Sequence, residues 1–474
     1  MELGQFWIMR HEIILTALAV VYLLLQLNVS KENEHQNILW VIGMFLVATV
    51  VGFLPAETGE LFGGSYHNDG LTILMKNVLN IGVLLIFIQS AVWMKENPEN
   101  RGKITEYYLL IITTLIGMSF MISSGDFLMF YLGLELSTIP LAALAAYQLF
   151  EAKSSEAGVK LILSSALSSG VALFGISLLY AATGSTYFDP VAANIGNSAL
   201  ETLGAIFFFS GLAFKISIVP FHFWTADVYE GAPINISAYL SVVSKGAATF
   251  ILLILLFQVF RSVSEVWQDL IWITSILTMS IGNLFAIRQN NIKRFLAFSS
   301  IAQAGFIFLG VISGTQEGMA TVIYFVLIYI FSNLGAFGVA AIISYRTGKE
   351  NISDYNGLYR TNPRLSLVML LSMFSLAGIP PVAGFFGKFF LFTAAASQGF
   401  YLLVTIAVIN AVVSLYYYLL VVKAMFINKS EAPIERIESD WLTKVGLAIC
   451  VVGLIATGFA SNIYAYIYSF SWGM

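Results

Sequence analysis

Apolar stretches of about 18–25 residues, each long enough to cross the roughly 30 Å hydrocarbon core of a bilayer, recur down the whole of this chain. No water inside a membrane can satisfy a peptide group, so a spanning segment must close its own hydrogen bonds as a helix or join a closed barrel. Barrel strands need only about 9–11 residues and alternate apolar with polar side chains. These runs are longer and do not alternate, so they read as helices. The approximate limits are 11–29, 37–54, 72–94, 105–123, 125–149, 157–182, 200–220, 235–260, 269–288, 292–312, 317–345, 364–397, 400–427 and 441–468, about fourteen spans. Of the 474 residues only 11% are charged, where a soluble domain has about 25%. The expected class is an all-α polytopic membrane protein with no soluble domain. A net charge of -4 decides little when lipid is the main solvent.

Positive charges set the orientation. With the N-terminus outside, the loops assigned to the cytoplasm include Lys31, Lys95, Arg101, Lys103, Lys153, Arg288, Lys293, Arg294, Arg346 and Lys349, while the opposite loops hold only Arg10 and Arg261. Under the positive-inside rule both termini are extracytoplasmic. The first apolar run lacks a small-residue cleavage site and reads as a retained helix.

Few ionisable residues remain inside the spans: Lys76, Glu135, Lys160, Lys215, Lys245 and Lys388. A lysine at the bilayer centre costs about 2.5–3.5 kcal/mol on insertion scales, so it usually faces the bundle interior or a water-filled cavity. Lys76 sits near a span end and is expected to anchor there by snorkelling. Lys160 has two readings, a snorkelling anchor or a partner for Glu156 one turn back. Glu135, Lys215 and Lys388 lie too deep to snorkel and are read as functional, with Lys245 beside them. Asp227 and Glu230 read as loop carboxylates.

Two prolines mark places where helices should break at membrane depth. Pro220 follows Lys215 by five residues, and Pro381 precedes Lys388 by seven. Proline removes a backbone donor and clashes one turn back, and broken helices within a membrane line cavities. The two prolines are 161 residues apart, which suggests two five-helix repeats of opposite orientation. The expected organisation is a three-helix extension over 1–104, a first repeat over 105–265, a second, inverted repeat over 266–428 and a C-terminal helix over 429–474. Shifting by 161 residues gives Glu135 no acidic counterpart near Leu296, so the halves differ chemically.

Absences narrow the chemistry. One cysteine, Cys450, cannot hold an iron–sulfur cluster, the four histidines are scattered, and no nucleotide fingerprint occurs. No cofactor or metal is expected on this chain, and any catalysis would be ion movement. A carboxylate about 4 Å from an ammonium attracts it by roughly 4 kcal/mol at an effective dielectric near 20. Movement of Glu135 relative to Lys215 would therefore load or release a proton. Serines near Ser299, Ser300 and Ser332 could carry it onward.

Residues 220–233, PFHFWTADVYEGAP, resemble the signature of the proton-conducting membrane transporter family, which comprises the antiporter-like subunits of respiratory complex I and the Mrp-type cation/proton antiporters. Residues 131–141 (YLGLELSTIPL), 61–69 (LFGGSYHND) and 375–389 (SLAGIPPVAGFFGKF) are similar to the N-type branch of the complex I subunits. Residues 288–305 (RQNNIKRFLAFSSIAQAG) resemble the family's tenth helix. The resemblance implies a proton relay of Glu135, Lys160, Lys215, Lys245 and Lys388, with His222 as the histidine after the first break. It also implies a bacterial inner-membrane location and membrane-arm partners, namely the M, K and J subunits and the L, H and A set. FMN, iron–sulfur clusters and quinone would then belong to partner subunits. One departure is Gln303, where the N-type branch usually has a histidine; glutamine cannot titrate. The alternatives are a stand-alone Mrp-type antiporter, a fourteen-helix organic-solute carrier and a purely structural subunit. The N-type stretches weigh against the first, two lysine-bearing breaks against the second, and the cost of intramembrane charge against the third.

The topology is testable directly. An alkaline-phosphatase fusion at Met474 is expected to be active and one at Lys349 inactive; the opposite pattern would overturn the orientation.

Overall fold

The computed structural model describes every residue except Met1, Glu2, Asn28, Lys31, Glu32 and Asn197, and the side chains of Leu3 and Gly4 are also left aside. Lys31, counted above among the cytoplasmic loop charges, lies outside the described residues. Among those described, thirteen helices are long and apolar enough to cross a membrane, from Gln5–Leu27 to Trp441–Phe459. The span expected over 364–397 consists of two shorter helices, Pro363–Ala377 and Ala383–Ser397. The last expected span is corrected: it is not one helix, because the chain turns at Ala460 between Trp441–Phe459 and Ser461–Phe470. Sequence reading also missed a small antiparallel hairpin pairing Gly59–Leu61 with Tyr66–Asn68.

The chain forms two compact units. The first comprises residues 1–215 and 244–267, and small residues let its helices approach closely. Packing in lipid lacks a strong hydrophobic drive, so close backbone contact through glycine supplies much of the attraction. A Cβ on Gly133 would meet Met121 N at 2.6 Å and Gly117 O at 2.7 Å. This glycine pair joins Ile104–Ile122 to Phe127–Ala145. Away from it, the core is aromatic: Phe87 packs on Phe45 and on Tyr108, both at 4.9 Å between ring centres, and Tyr22 meets Tyr108 edge-on. The helix Gly70–Glu96 starts at Asp69, whose carboxylate accepts from Thr72 N while Thr72 Oγ1 accepts from Asp69 N. That reciprocal cap satisfies two donors left over at the helix start.

The second unit comprises residues 216–243 and 268–474. Its helices Ile292–Ile312 and Gln316–Thr347 are buried along most of their length. Both proline breaks fall in this unit. At the first, helix stops at Ile216 and resumes at Phe223; at the second, it stops at Ala377 and resumes at Ala383. The chain leaves each helix through a left-handed residue three positions before the second-numbered proline of a cis bond, Ser217 (φ 67°) before Pro220 and Gly378 (φ 84°) before Pro381. The 161-residue offset seen between the prolines thus extends to the backbone turns. A serine in this conformation is uncommon, because its Cβ crowds the carbonyl. The buried Val219 N–H, left outside the helix at the first break, finds a partner, donating to Thr278 Oγ1 at 3.0 Å.

Replacing Gly133 by alanine presses a methyl group onto backbone that cannot rotate away, an overpacking worth about 1–3 kcal/mol. Gly43, with nothing within 4 Å of its added Cβ, is the control. Thermal unfolding in detergent is expected to shift down for Gly133→Ala and stay unchanged for Gly43→Ala. Equal unfolding temperatures would contradict the close packing.

Candidate functional site

Lys215 occupies the last turn of the helix Ala199–Ile216. A cation there faces the negative end of the helix dipole and the carbonyls that no later turn satisfies. The side chain is 8% exposed. Its ammonium donates to Ser137 Oγ and to Thr138 Oγ1, the latter at 2.9 Å. Both hydroxyls donate their own hydrogens to Leu134 O, at 2.8 and 2.6 Å, leaving lone pairs for the lysine. These acceptors stand two and three residues after Glu135 on the helix Phe127–Ala145. Glu135 Oε1 is buried without a hydrogen-bond partner, and its charge still acts on Lys215. Among the described residues, then, the ammonium rests on two hydroxyls next to the carboxylate rather than in contact with it.

Lys160 pairs with Glu156 at 2.6 Å, one turn back on Ala152–Thr183, and both side chains are substantially exposed within the chain. The pairing reading is the one realised. Lys245 is buried and follows a π-helical turn, Leu240–Ser244. Such turns insert one extra residue per loop of helix and recur at functional positions; nothing in the apolar pattern announced it. His222 stands at the N-cap position of the helix after the first break without a side-chain capping bond; it is buried, and its Nδ1 has no hydrogen-bond partner.

In the second unit the lysine and the break meet. Lys388, 4% exposed, lies on Ala383–Ser397. Its ammonium reaches back across the break to donate to Leu376 O at 2.8 Å and Ala377 O at 3.3 Å. These are terminal carbonyls of the preceding half-helix, where a cation is favoured. The ammonium also sits 4.5 Å from the centre of the Phe306 ring, a cation–π arrangement. Gln303 shares the same carbonyl, donating to Leu376 O at 2.9 Å and to Tyr418 OH at 3.0 Å. Tyr418 OH lies 2.5 Å from Ser299 Oγ. Ser332 and Ser375 are linked hydroxyl to hydroxyl at 2.7 Å, and Ser375 Oγ accepts from Gly384 N. Tyr329, Ser241 and Asn333 form a further buried polar group. The expected serines are therefore buried, and tyrosines and amides that sequence reading did not single out join them.

Two readings are corrected. Lys76 is no snorkelling anchor: it is 1% exposed and paired with Glu12 at 2.7 Å. The tertiary fold brings Glu12 and the hairpin residues Tyr66 and Asn68 onto it. Asp227 and Glu230 are not loop residues. They lie on the helix Phe223–Gly231, and both accept from one nitrogen of Arg294, at 2.7 and 3.0 Å.

A lysine stands at each break, beside half-helix ends, and separate buried polar groups lie in the second unit. The family model for NADH:quinone oxidoreductase and Mrp antiporter transmembrane chains matches residues 124–414. The chain belongs to this family. All six candidate residues fall within the matched stretch, whereas Glu12 and Lys76 precede it. NADH-quinone oxidoreductase subunit N of Phocaeicola vulgatus is 47% identical over 468 residues, covering 98% of both chains. A chain in the respiratory complex I structure from Thermus thermophilus superposes with TM-score 0.79 at 28% identity, covering 96% of this chain and 98% of that one. A chain of the Mrp complex from Dietzia superposes with TM-score 0.86 at 20% identity, covering 99% and 97%, a likeness of fold alone.

Glu135 and Lys215 are expected to act as a unit. Replacing both by neutral residues should reduce proton transport no more than the worse single replacement, because each change already breaks the same step. The measurement is pH-gradient formation in membrane vesicles, normalised to the amount of chain; additive losses would mean independent roles.

Proposed function

We propose that this chain is the N-type, proton-translocating antiporter-like subunit in the membrane arm of an NADH–quinone oxidoreductase. Lys388 across the second break carries the reading: a buried ammonium tied to half-helix carbonyls, next to hydroxyl and amide groups. The full-length likeness to subunit N at 47% identity supports the assignment. In this reading electron transfer from NADH to quinone drives transport from the quinone end. FMN, iron–sulfur clusters and quinone sit on partner subunits, with M, K and J and the L, H and A set as neighbours. Both termini face the outside of a bacterial inner membrane.

The relay follows from the residues. Lys215 holds a proton on Ser137 and Thr138 beside Glu135. A small change in side-chain torsion moves the ammonium between hydroxyls and carboxylate, which changes the stability of its charge. Lys245 lies next along the chain in a buried helix. Lys388 must give up an N–H now held by Leu376 O or Ala377 O to pass its proton on. Gln303 cannot titrate, so any proton crossing there travels on water or hydroxyls, and the amide fixes the carbonyl that Lys388 uses. Lys160 with Glu156, and His222 after the break, complete the proposed set. A stand-alone antiporter would use the same lysines, but its transport would not depend on NADH oxidation.

Arginine keeps a charge but hardly ever deprotonates, whereas a desolvated lysine can release its proton. Lys388→Arg is expected to assemble yet lose most proton pumping and the NADH oxidation coupled to it. Quinone-linked NADH oxidation and pH-gradient formation in vesicles, normalised to assembled complex, make the test. Full activity would reduce Lys388 to a helix cap.

A further inference from the structure

At one end of the second unit the turns around residues 290, 352, 357, 424 and 435 are tied together by Ile352 N–H on Asn290 O, Gly357 N–H on Ala424 O and Asn362 Nδ2 on Glu435 O. The cations at this end are of two kinds. Lys293 pairs with Glu350, and Arg294 with Asp227 and Glu230. Arg360, Lys423 and Lys429 are exposed and, among the described residues, form no ion pair.

These three cations border one joint. Gly357 N–H donates to Ala424 O at 3.0 Å, Asn428 Nδ2 donates to Asn356 Oδ1 at 2.9 Å, and the rings of Tyr359 and Phe426 stack at 4.6 Å. Arg360 follows Tyr359, Lys423 precedes Ala424 and Lys429 follows Asn428. Glu431 and Glu435 stand on the following loop, and neither pairs with them. Like charges held at one joint repel, so an arriving anion is favoured there.

From the joint inward the surface is apolar and uncovered. Lys423 lies in the last turn of the helix Tyr401–Phe426. Leu419, Tyr416 and Val412 precede it at steps of four, three and four residues, so all share its face of the helix. All three are exposed. The helix Pro363–Ala377 packs beside this one, starts three residues after Arg360 and exposes Leu367. Tyr359, 42% exposed, adds an amphipathic ring of the kind that settles where headgroups meet hydrocarbon.

We propose that this joint binds one anionic phospholipid, its phosphate against Arg360, Lys423 and Lys429 and an acyl chain along Leu419, Tyr416 and Val412. Phosphate oxygens accept charge-assisted hydrogen bonds from guanidinium and ammonium groups together. A zwitterionic lipid carries its own cation beside the phosphate, so unpaired protein cations favour the lipid with net negative charge. Free phosphate would satisfy the cations and leave the apolar strip uncovered. An apolar transmembrane helix would cover the strip and leave the cations without an anion. The inference uses the membrane fold alone and is independent of the proton relay.

The test uses the assembled complex in phosphatidylcholine vesicles doped with phosphatidylglycerol that carries a diazirine on one acyl chain. After irradiation, labelled peptides of this chain are identified by mass spectrometry. Labelling of residues 412–419 is expected to exceed, several-fold, that from a phosphatidylcholine probe with the same chain at equal content. Unlabelled phosphatidylglycerol suppresses it and inorganic phosphate does not. In Arg360→Gln/Lys423→Gln the probe content that gives half-maximal labelling is expected to rise roughly thirtyfold, the effect of removing two cations near an anionic headgroup. Arg288→Gln/Lys444→Gln, which removes the same charge from exposed positions at the same end, is expected to leave it unchanged. Equal labelling by the two probes, or no labelling of this stretch, overturns the site. So does an Arg360→Gln/Lys423→Gln complex that labels like the unaltered one. Suppression by inorganic phosphate overturns the lipid as occupant. If that variant does not assemble, the comparison of the two probes on the unaltered complex decides alone.

Discussion

A peptide group inside a membrane has no water to turn to, and each broken helix leaves carbonyls that must find another donor. In this protein two buried lysines stand beside helix breaks. Lys388 reaches back over its break to the carbonyls of Leu376 and Ala377; Lys215 stands in the last turn before its break. A half-helix end solves the problem of placing an amine in lipid, and the amine solves the problem of the open helix end. Such pairing keeps a titratable group at depth without a permanent counter-ion. Removing either partner would leave the other exposed to hydrocarbon.

The two breaks share backbone geometry but not chemistry. Left-handed residue and proline recur at the same 161-residue offset, and a helix restarts after each. The lysine, however, precedes the break at Lys215 and follows it at Lys388. At the position after the first break that corresponds to Lys388 stands Asp227, bound to Arg294. An ancestral backbone pattern repeated with different side chains would give this result. Its consequence is that the charged groups beside the two breaks differ, Lys215 before the first and Lys388 after the second.

Most of the architecture was legible because lipid makes strict demands. Length and apolarity located the helices, and proline five residues after Lys215 marked a break that the structure has at Ser217–His222. Glu156 was visible as a partner for Lys160 because i and i+4 positions meet on any helix. Tertiary contacts were not visible. Lys76 lies near a span end in sequence, yet a hairpin folds over it and the first helix supplies Glu12, so it is fully enclosed. Tyr418 lies 115 residues from Gln303, and only folding brings their side chains together. The π turn before Lys245 adds one residue to a helix without changing its apolar character, so no periodicity could reveal it.

The central claim is that these lysines work by gaining and losing a proton rather than by carrying fixed charge. Lys215→Cys offers the most direct measurement. The thiol can be converted with a reagent that adds an aminoethyl group, restoring a titratable amine, or with its trimethylammonium counterpart, restoring only a permanent charge. Proton pumping per NADH oxidised is then compared in the same vesicles. The account predicts recovery with the aminoethyl group and none with the quaternary one. Equal recovery with both would contradict it, because a charge that never leaves would then suffice.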